Sequence, residues 1–205
     1  KFLGGWQVPG HMEAPLLPPH KPVRKPMKRH HAIAGKSQTD IIMGSVGPSR
    51  RDPEYLFASL GNSVLGQFGM MGRIGDVVRE KSGLAYYAYS ALDSGTGPGR
   101  WDVAAGVNPS NVKKAIDLIE KELRRFVKSG VTKEELADSQ ANYIGRLPLS
   151  LESNNGIVSA LLNIHRFDLG MDYYQRYESM VRAVTRDDVL ATARKYIDPD
   201  RLVIS

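Results

Sequence analysis

The strongest apolar pattern in the chain is helical and begins after Asn108-Pro109. Apolar residues recur there at intervals of three and four, which places them on one face of a helix. That face consists of Val112, Ala115, Ile116, Ile119, Leu123, Phe126 and Val127. Gly130 follows, and glycine readily adopts the left-handed conformation found at helix C-termini. The pattern predicts a long helix that ends at Gly130 and packs on the core by one face.

Shorter helices are indicated by capping signals. Two capping boxes, in which side chains three residues apart bind each other's backbone N–H groups, are formed by Thr132 with Glu135 and by Thr185 with Asp188. Asp52 is expected to be an N-cap, because a proline follows it at the first helical position. Helices are therefore predicted over about 53–65, 132–148 and 153–167, and two more begin at 172 and 185.

Strand-like runs precede and follow these helices in the sequence. They cover 28–34, 39–46, 84–92, 101–107 and 202–204, and the glycine-rich stretch 93–100 predicts a hairpin turn between the third and fourth. Strands and one helix come first, a hairpin follows, and several helices precede the closing strand. This order predicts an α+β domain with a mixed or antiparallel sheet whose helices pack on one face.

Composition adds a domain boundary. The chain has 205 residues and is 41% hydrophobic, which is enough to bury a sizeable core. Six prolines interrupt the first 27 residues, so we expect 1–27 to be the tail of a preceding domain with an interdomain linker, and 28–205 to be one domain. Because the chain starts at Lys1, we expect it to be a piece of a longer protein. Without cysteine it has no disulfides or thiolate metal ligands, and no apolar run is long enough to span a bilayer.

The net charge of +6 is concentrated near the end of this linker, at Lys21, Arg24, Lys25, Lys28 and Arg29. Clustered cations can bind nucleic acid by releasing phosphate counterions. No aromatic residues are interleaved for base stacking, and no nucleic-acid-binding motif follows. A solvated, proline-stiffened linker is therefore the favoured interpretation.

The candidate site lies between Arg79 and Tyr86. A short helix is predicted over 73–81, Gly83 suits its C-cap, and a strand follows directly. The guanidinium and the phenol can then point into one space, where both donate hydrogen bonds suited to a peptide carbonyl or a developing oxyanion. The alternative is that Arg79 pairs with a carboxylate and Tyr86 belongs to the core. Spacing alone favours that alternative.

Four glycines recur every third residue just before this site, at Gly66, Gly69, Gly72 and Gly75. The series lacks the Gly-Lys-Ser/Thr ending of a phosphate-binding loop and does not follow a strand. It is either a flexible turn between helices or a loop that contacts peptide.

The histidines give no metal site within this chain. Zinc hydrolase motifs on helices place two histidines one turn apart beside a carboxylate. No such spacing occurs among His11, His20, His30, His31 and His165.

The run Val-Arg-Glu-Lys-Ser-Gly-Leu-Ala-Tyr at 78–86 resembles the second-domain signature of the insulinase/pitrilysin family of zinc metallopeptidases, the inverzincins. Other segments agree in the same order: Gln38-Thr39-Asp40-Ile41, Asp52-Pro53, the stretch 130–136 after the long helix, and 185–189. The resemblance covers about 28–205.

The resemblance implies a two-domain half-enzyme. Its first domain carries the zinc motif H-x-x-E-H, its second has the same fold without metal, and two such halves enclose a chamber in which a peptide is cut. Arg79 and Tyr86 match the arginine and tyrosine that bind the substrate backbone and help to hold the oxyanion, which reverses the preference from spacing alone. The four glycines correspond to a loop that engages peptide in some members, including mitochondrial processing peptidase. Met70 and Met71 depart from the commoner serine-containing form of that loop.

The expected function is thus the substrate-binding, non-zinc domain of a zinc endopeptidase, inactive and metal-free alone. Zinc is expected in the full-length enzyme or a partner subunit. The expected partners are a peptide or unfolded polypeptide, the preceding zinc-binding domain, and a second subunit in a homo- or hetero-dimer, with a bacterial cytoplasm or periplasm favoured. The alternatives are a catalytically inactive structural subunit of the same fold and a plain partner-binding module.

Overall fold

The structure is a computed structural model that describes residues 23–205, together with Gly5 and Gly10, and the side chains of that range except those of 68–71. Most of the predicted tail and linker lies outside the described residues, so the proposed boundary at 27 stays a prediction. No helix in the described part of the chain is both long and apolar enough to cross a bilayer.

A five-stranded mixed sheet organises the domain. Its strands are β1 (Met27–Lys28), β2 (Thr39–Val46), β3 (Ala85–Asp93), β4 (Arg100–Val107) and β5 (Val203–Ile204). They lie in the order β1-β5-β2-β4-β3, with β1 parallel to β5 and the other neighbours antiparallel. The hairpin between β3 and β4 confirms the predicted turn at 93–100.

Seven α-helices complete the described domain: α1 (Tyr55–Gly66), α2 (Phe68–Gly75), α3 (Val112–Ser129), α4 (Lys133–Leu151), α5 (Asn154–Phe167), α6 (Tyr173–Ala183) and α7 (Arg186–Tyr196). A π-helical turn (Asp76–Glu80) joins α2 to β3. The inward residues of β2 and β4, such as Met43 and Val103, share one core with α1, α3 and α7. On the opposite face of the sheet, Ile42 and Tyr89 remain exposed. The predicted α+β class with helices on one face is confirmed.

Local signals define several helix ends. Both capping boxes form, Thr132 with Glu135 and Thr185 with Asp188. Gly130 ends α3 with φ of 65°, and its N–H donates to the Phe126 carbonyl.

A buried polar cluster joins α1 to the sheet. Asn62 is buried, and its Oδ1 accepts hydrogen bonds from the Ser90 hydroxyl at 2.7 Å and from the Trp101 indole at 2.9 Å. The Trp101 ring in turn meets Phe126 edge-on at 6.4 Å. Because unpaired polar groups are costly in a core, this cluster fixes the position of α1 over β3 and β4.

Three predicted boundaries were wrong. The strand expected at 28–34 is limited to Met27–Lys28, because its partner β5 is only two residues long; Ile33 is 66% exposed. Asp52 does not cap α1. Its carboxylate accepts from the N–H and hydroxyl of Ser49, closing a turn before the helix begins. Pro148 does not end α4. It lies in the last turn, where it removes only one backbone donor, so the helix continues to Leu151.

Candidate functional site

The glycine series is helical rather than a loop. Gly66 ends α1, and the other three lie in α2. A Cβ added at Gly66 would lie 1.9 Å from the Ser90 backbone nitrogen, and one at Gly72 would lie 2.6 Å from the Gly66 nitrogen. Gly72 also has φ of +65°, which side chains rarely adopt. Gly66 and Gly72 therefore allow α1, α2 and β3 to pack backbone against backbone.

The predicted helix at 73–81 is divided between α2 and the π-helical turn. In that turn the Lys81 N–H donates to the Asp76 carbonyl at 2.9 Å, a spacing of five residues. Such turns are rare and occur often at functional sites. Gly83 follows with φ of +61°, and its N–H donates to the Arg79 carbonyl at 2.8 Å. The C-cap itself is Lys81, two residues before the predicted position, and Gly83 supplies the left-handed residue after it that turns the chain into β3.

Arg79 lies near the end of this turn with its side chain 34% exposed. Its Nη1 is 3.5 Å from Oε1 of the adjacent Glu80, whose side chain is 46% exposed. Exposed pairs of this kind contribute little to stability, because water screens both charges. The guanidinium is thus held loosely and remains accessible.

Tyr86 lies in a β-bulge. Ala85 is opposite Val107 and Tyr87 is opposite Gly106, so Tyr86 has no partner residue on β4. Strict alternation would place Tyr86 on the same face as Ala88 and Ser90, which are fully buried. The bulge instead turns the phenol outward, where it is 81% exposed. The alternative that Tyr86 belongs to the core is therefore wrong.

The neighbouring Tyr87 has a bound hydroxyl. It donates to Asp40 at 2.7 Å, and the Gln38 amide donates to the same carboxylate oxygen at 2.7 Å. The hydrogen bonds from Tyr87 and Gln38 lower the pKa of Asp40. Burial, followed by the hydrogen bond to Asp40, raises the pKa of Tyr87 to about 12. Sequence reasoning missed this pair, and the Gln-Thr-Asp motif at 38–40 was the signal that pointed toward it.

A buried ionic cluster holds α2 in place. Arg73, whose side chain is 10% exposed, binds Glu135 through two nitrogens, and its Nη1 lies 3.6 Å from Oε1 of Glu122, which is 5% exposed. Burial raises the pKa of Glu122 despite Arg125 and Arg73. Burial also acts to raise the pKa of Glu135, but hydrogen bonds from Arg73 and the Thr132 N–H outweigh it and the pKa is lowered. Glu135 therefore caps α4 and clamps α2 to it.

The α+β fold and its helix–bulge connection at Arg79 and Tyr86 can now be set beside known proteins, and the comparison identifies the family. The chain matches the family described as Peptidase M16 inactive domain over residues 1–143. An uncharacterized zinc protease of Streptomyces coelicolor is 31% identical over 160 residues, covering 77% of this chain and 34% of that protein. The chain belongs to the Peptidase M16 inactive domain family, which confirms the resemblance found in the sequence.

Solved structures share the fold. A peptidase M16 inactive domain from Pseudomonas fluorescens has a TM-score of 0.82 at 26% identity, covering 95% of this chain and 45% of that one. A protease from Helicobacter pylori has a TM-score of 0.78 at 16% identity, over 95% and 48%. The chain thus spans about a third of the length of the curated relative and less than half of these solved chains.

Zinc does not fit the described part of this chain. Among the described residues, no three histidine, aspartate or glutamate side chains are grouped so that they could hold a metal ion. His30, His31 and His165 are exposed. Glu122 and Glu135 face Arg73, whose charge opposes a cation there.

Proposed function

We propose that this chain is the substrate-binding domain of a zinc endopeptidase whose zinc site is carried by another domain or subunit. In this proposal Arg79 and Tyr86 act on the same stretch of peptide backbone. The bulge at Tyr86 is the observation that carries the proposal, because it holds a phenol in solvent directly after the turn that contains Arg79. A large aromatic side chain kept 81% exposed has no role in the core of the described domain.

The chemistry follows from the two donors. The Arg79 guanidinium presents a planar fork of N–H groups that can hold a peptide carbonyl, and its weak pair with Glu80 costs little to break. The Tyr86 hydroxyl can donate to the oxygen on which negative charge develops when the peptide bond is attacked. We expect Arg79 to serve binding and turnover, and Tyr86 to serve mainly turnover.

The proposal includes peptide contact by the glycine series: Gly66, Gly69, Gly72 and Gly75. The packing of the helices supports an additional, indirect role for two of them. Gly66 and Gly72 set the position of α2, and hence of the turn that carries Arg79.

The assembly is expected to cover one face of α5. Four apolar side chains on that helix are exposed: Ile157, Val158, Leu161 and Leu162. Contiguous exposed apolar residues mark interaction surfaces. We expect them to contact another domain or subunit, and the isolated chain to self-associate through them.

Sedimentation should show dimers of the wild-type chain and monomers of Leu161→Lys. Ile33→Lys, which replaces an exposed apolar residue elsewhere, should remain dimeric. A monomeric wild-type chain at high concentration would contradict this.

Tyr86→Phe in the full-length enzyme tests the catalytic proposal. The change deletes one hydroxyl and keeps the ring, so kcat should fall by about a hundredfold with little change in KM. Tyr89→Phe, at another exposed tyrosine of β3, is the matched control and should leave kcat unchanged. Arg79→Lys keeps the charge but loses the planar fork, and should raise KM as well as lower kcat.

Neither variant should change the melting temperature, because neither side chain packs in the core. An unchanged kcat in correctly folded Tyr86→Phe would refute the assignment. A full-length protein without any peptidase activity would instead favour a structural subunit of the same fold.

A further inference from the structure

A groove of about 270 Å³ lies between α4 and α6, beside the turn that precedes α1. Two arginines and four tyrosines contribute to its lining, and none of its lining side chains is acidic. The residues that matter here are Arg50, Tyr143, Arg146, Tyr173, Tyr174 and Tyr177. We call it the arginine–tyrosine groove. Its composition is that of a binding site for an anion with an aromatic or apolar neighbour.

Arg50 is held rigidly at this groove. Its Cζ lies 4.2 Å from the centre of the Tyr55 ring, 5.5 Å from that of Tyr173 and 5.8 Å from that of Phe167. One guanidinium nitrogen donates to the Tyr173 hydroxyl at 3.0 Å, and the backbone N–H donates to the Gly95 carbonyl at 2.9 Å. An arginine fixed by stacking loses little conformational freedom when it binds, so it is pre-organised as a receptor.

The charge of this arginine is not matched by its neighbours. Asp172, next to Tyr173 in sequence, is bound by Arg176 through both carboxylate oxygens, at 2.6 and 3.1 Å. Asp52, two residues from Arg50, accepts from Ser49. The aromatic walls stay neutral, since burial raises the pKa of Tyr143 to about 12 and raises that of Tyr177. Arg73 shows the contrast, because two glutamates balance its charge.

We propose that the arginine–tyrosine groove binds the C-terminal carboxylate of a peptide. Arg50 is the bidentate partner of that carboxylate, and an aromatic side chain of the peptide lies against the tyrosines. Guanidinium and carboxylate match in shape and form paired charge-assisted hydrogen bonds. Arg146, exposed on α4, adds a second charge at the rim. The volume suits one or two residues of a peptide.

This site is separate from Arg79 and Tyr86. Arg50 is bonded to the turn at one end of the β3–β4 hairpin, whereas Tyr86 lies at the other end of β3. The seven residue steps of β3 from Tyr86 to Asp93 place the two about 24 Å apart along the sheet. The inference rests on the proposed function and deepens it by naming a substrate class: long peptides with a carboxylate about seven residues from the contacted bond when extended.

Titration of the 205-residue chain by NMR tests the groove directly. The probe is N-acetyl-Gly-Phe with a free carboxylate, compared with its C-terminal amide and with inorganic phosphate. The free acid should shift the amide signals of α4 and α6, and the amide should bind at least about tenfold more weakly. Phosphate binding as tight as that of the peptide acid would overturn the peptide assignment in favour of a general oxyanion site.

Variants complete the test. Arg50→Lys keeps the charge and loses the fork, and should weaken binding about tenfold; Arg146→Gln, at an exposed position that folding does not need, should weaken it severalfold. Arg124→Gln, at a half-exposed arginine of α3 that pairs with Asp200 and does not line the groove, is the matched control and should bind like wild type. Equal binding of acid and amide, or wild-type binding by both Arg50→Lys and Arg146→Gln, would show that Arg50 only holds the aromatic rings together.

Tyr86→Phe should bind the probe like wild type. Failure of the groove and failure of the catalytic proposal are therefore distinguishable, since one is read from binding to this chain and the other from kcat of the full-length enzyme.

Discussion

Arg73 and Arg79 are six residues apart in one continuous helical segment, yet they lie in opposite environments. Arg73, in α2, is 10% exposed and bound by Glu135 with Glu122 close by. Arg79, in the π-helical turn, is 34% exposed and has one loose contact to its neighbour Glu80. The charge of Arg73 is neutralised inside the domain, whereas that of Arg79 remains accessible.

The same division separates two adjacent tyrosines. Tyr87 has its hydroxyl bound to Asp40, whereas Tyr86 is turned into solvent by the bulge. In each pair one member fixes the local structure and the other presents a donor outward. The difference shows how a rigid framework and an accessible site are built from neighbouring residues of the same type.

The largest effect should come from Gly66→Ala, at the contact that carries this framework. The new methyl group would overlap the Ser90 backbone, which cannot move aside by a change of rotamer as a flexible side chain could. Destabilisation by about 3 kcal/mol or more is expected from urea unfolding. Gly145→Ala is the control, because that position in α4 has open space around it, and it should stabilise by up to about 1 kcal/mol.

Next in size is the direct comparison of the arginines. Arg73→Gln removes the two-nitrogen partner of Glu135 and leaves the buried Glu122 with Arg125, at 3.4 Å, as its nearby cation. It should cost about 2 kcal/mol in unfolding free energy. Arg79→Gln should change stability by less than about 0.5 kcal/mol. Equal losses in the two variants would mean that Arg79 is a structural residue, and would remove the distinction between them.

The smallest effect concerns Asp40 and Tyr87. The pKa of Asp40 is lowered in the folded state, so its contribution to stability is present above its ordinary pKa of 3.8 and is lost as the pH falls through the folded value. Asp40→Asn should therefore lower stability by under about 1 kcal/mol at pH 7, and the difference from wild type should shrink in acid. Melting temperatures between pH 2 and 7 would check this. A difference that grows toward acid would contradict the assigned hydrogen bond.

Local signals predicted much of the fold. The capping boxes at Thr132 and Thr185 and the glycine at the end of α3 act within a few residues, and the helices begin or end where those residues require. Strand β2 was predicted at its observed bounds. Predictions failed where a neighbour decided the outcome, as at 28–34, where the partner strand is short, and at Asp52, whose carboxylate closes a turn instead of capping α1.

The sequence by itself determined the class of fold, the family resemblance and the segment that contains Arg79 and Tyr86. Only the tertiary structure decided which arginine is buried, because the partners of Arg73 come from α3 and α4, and Glu135 is 62 residues away in sequence. It also decided the exposure of Tyr86, since a bulge exists only where two strands differ by one residue. The arginine–tyrosine groove has the same origin: Arg50 is separated from the four tyrosines by about a hundred residues and meets them only when α4 and α6 pack beside α1.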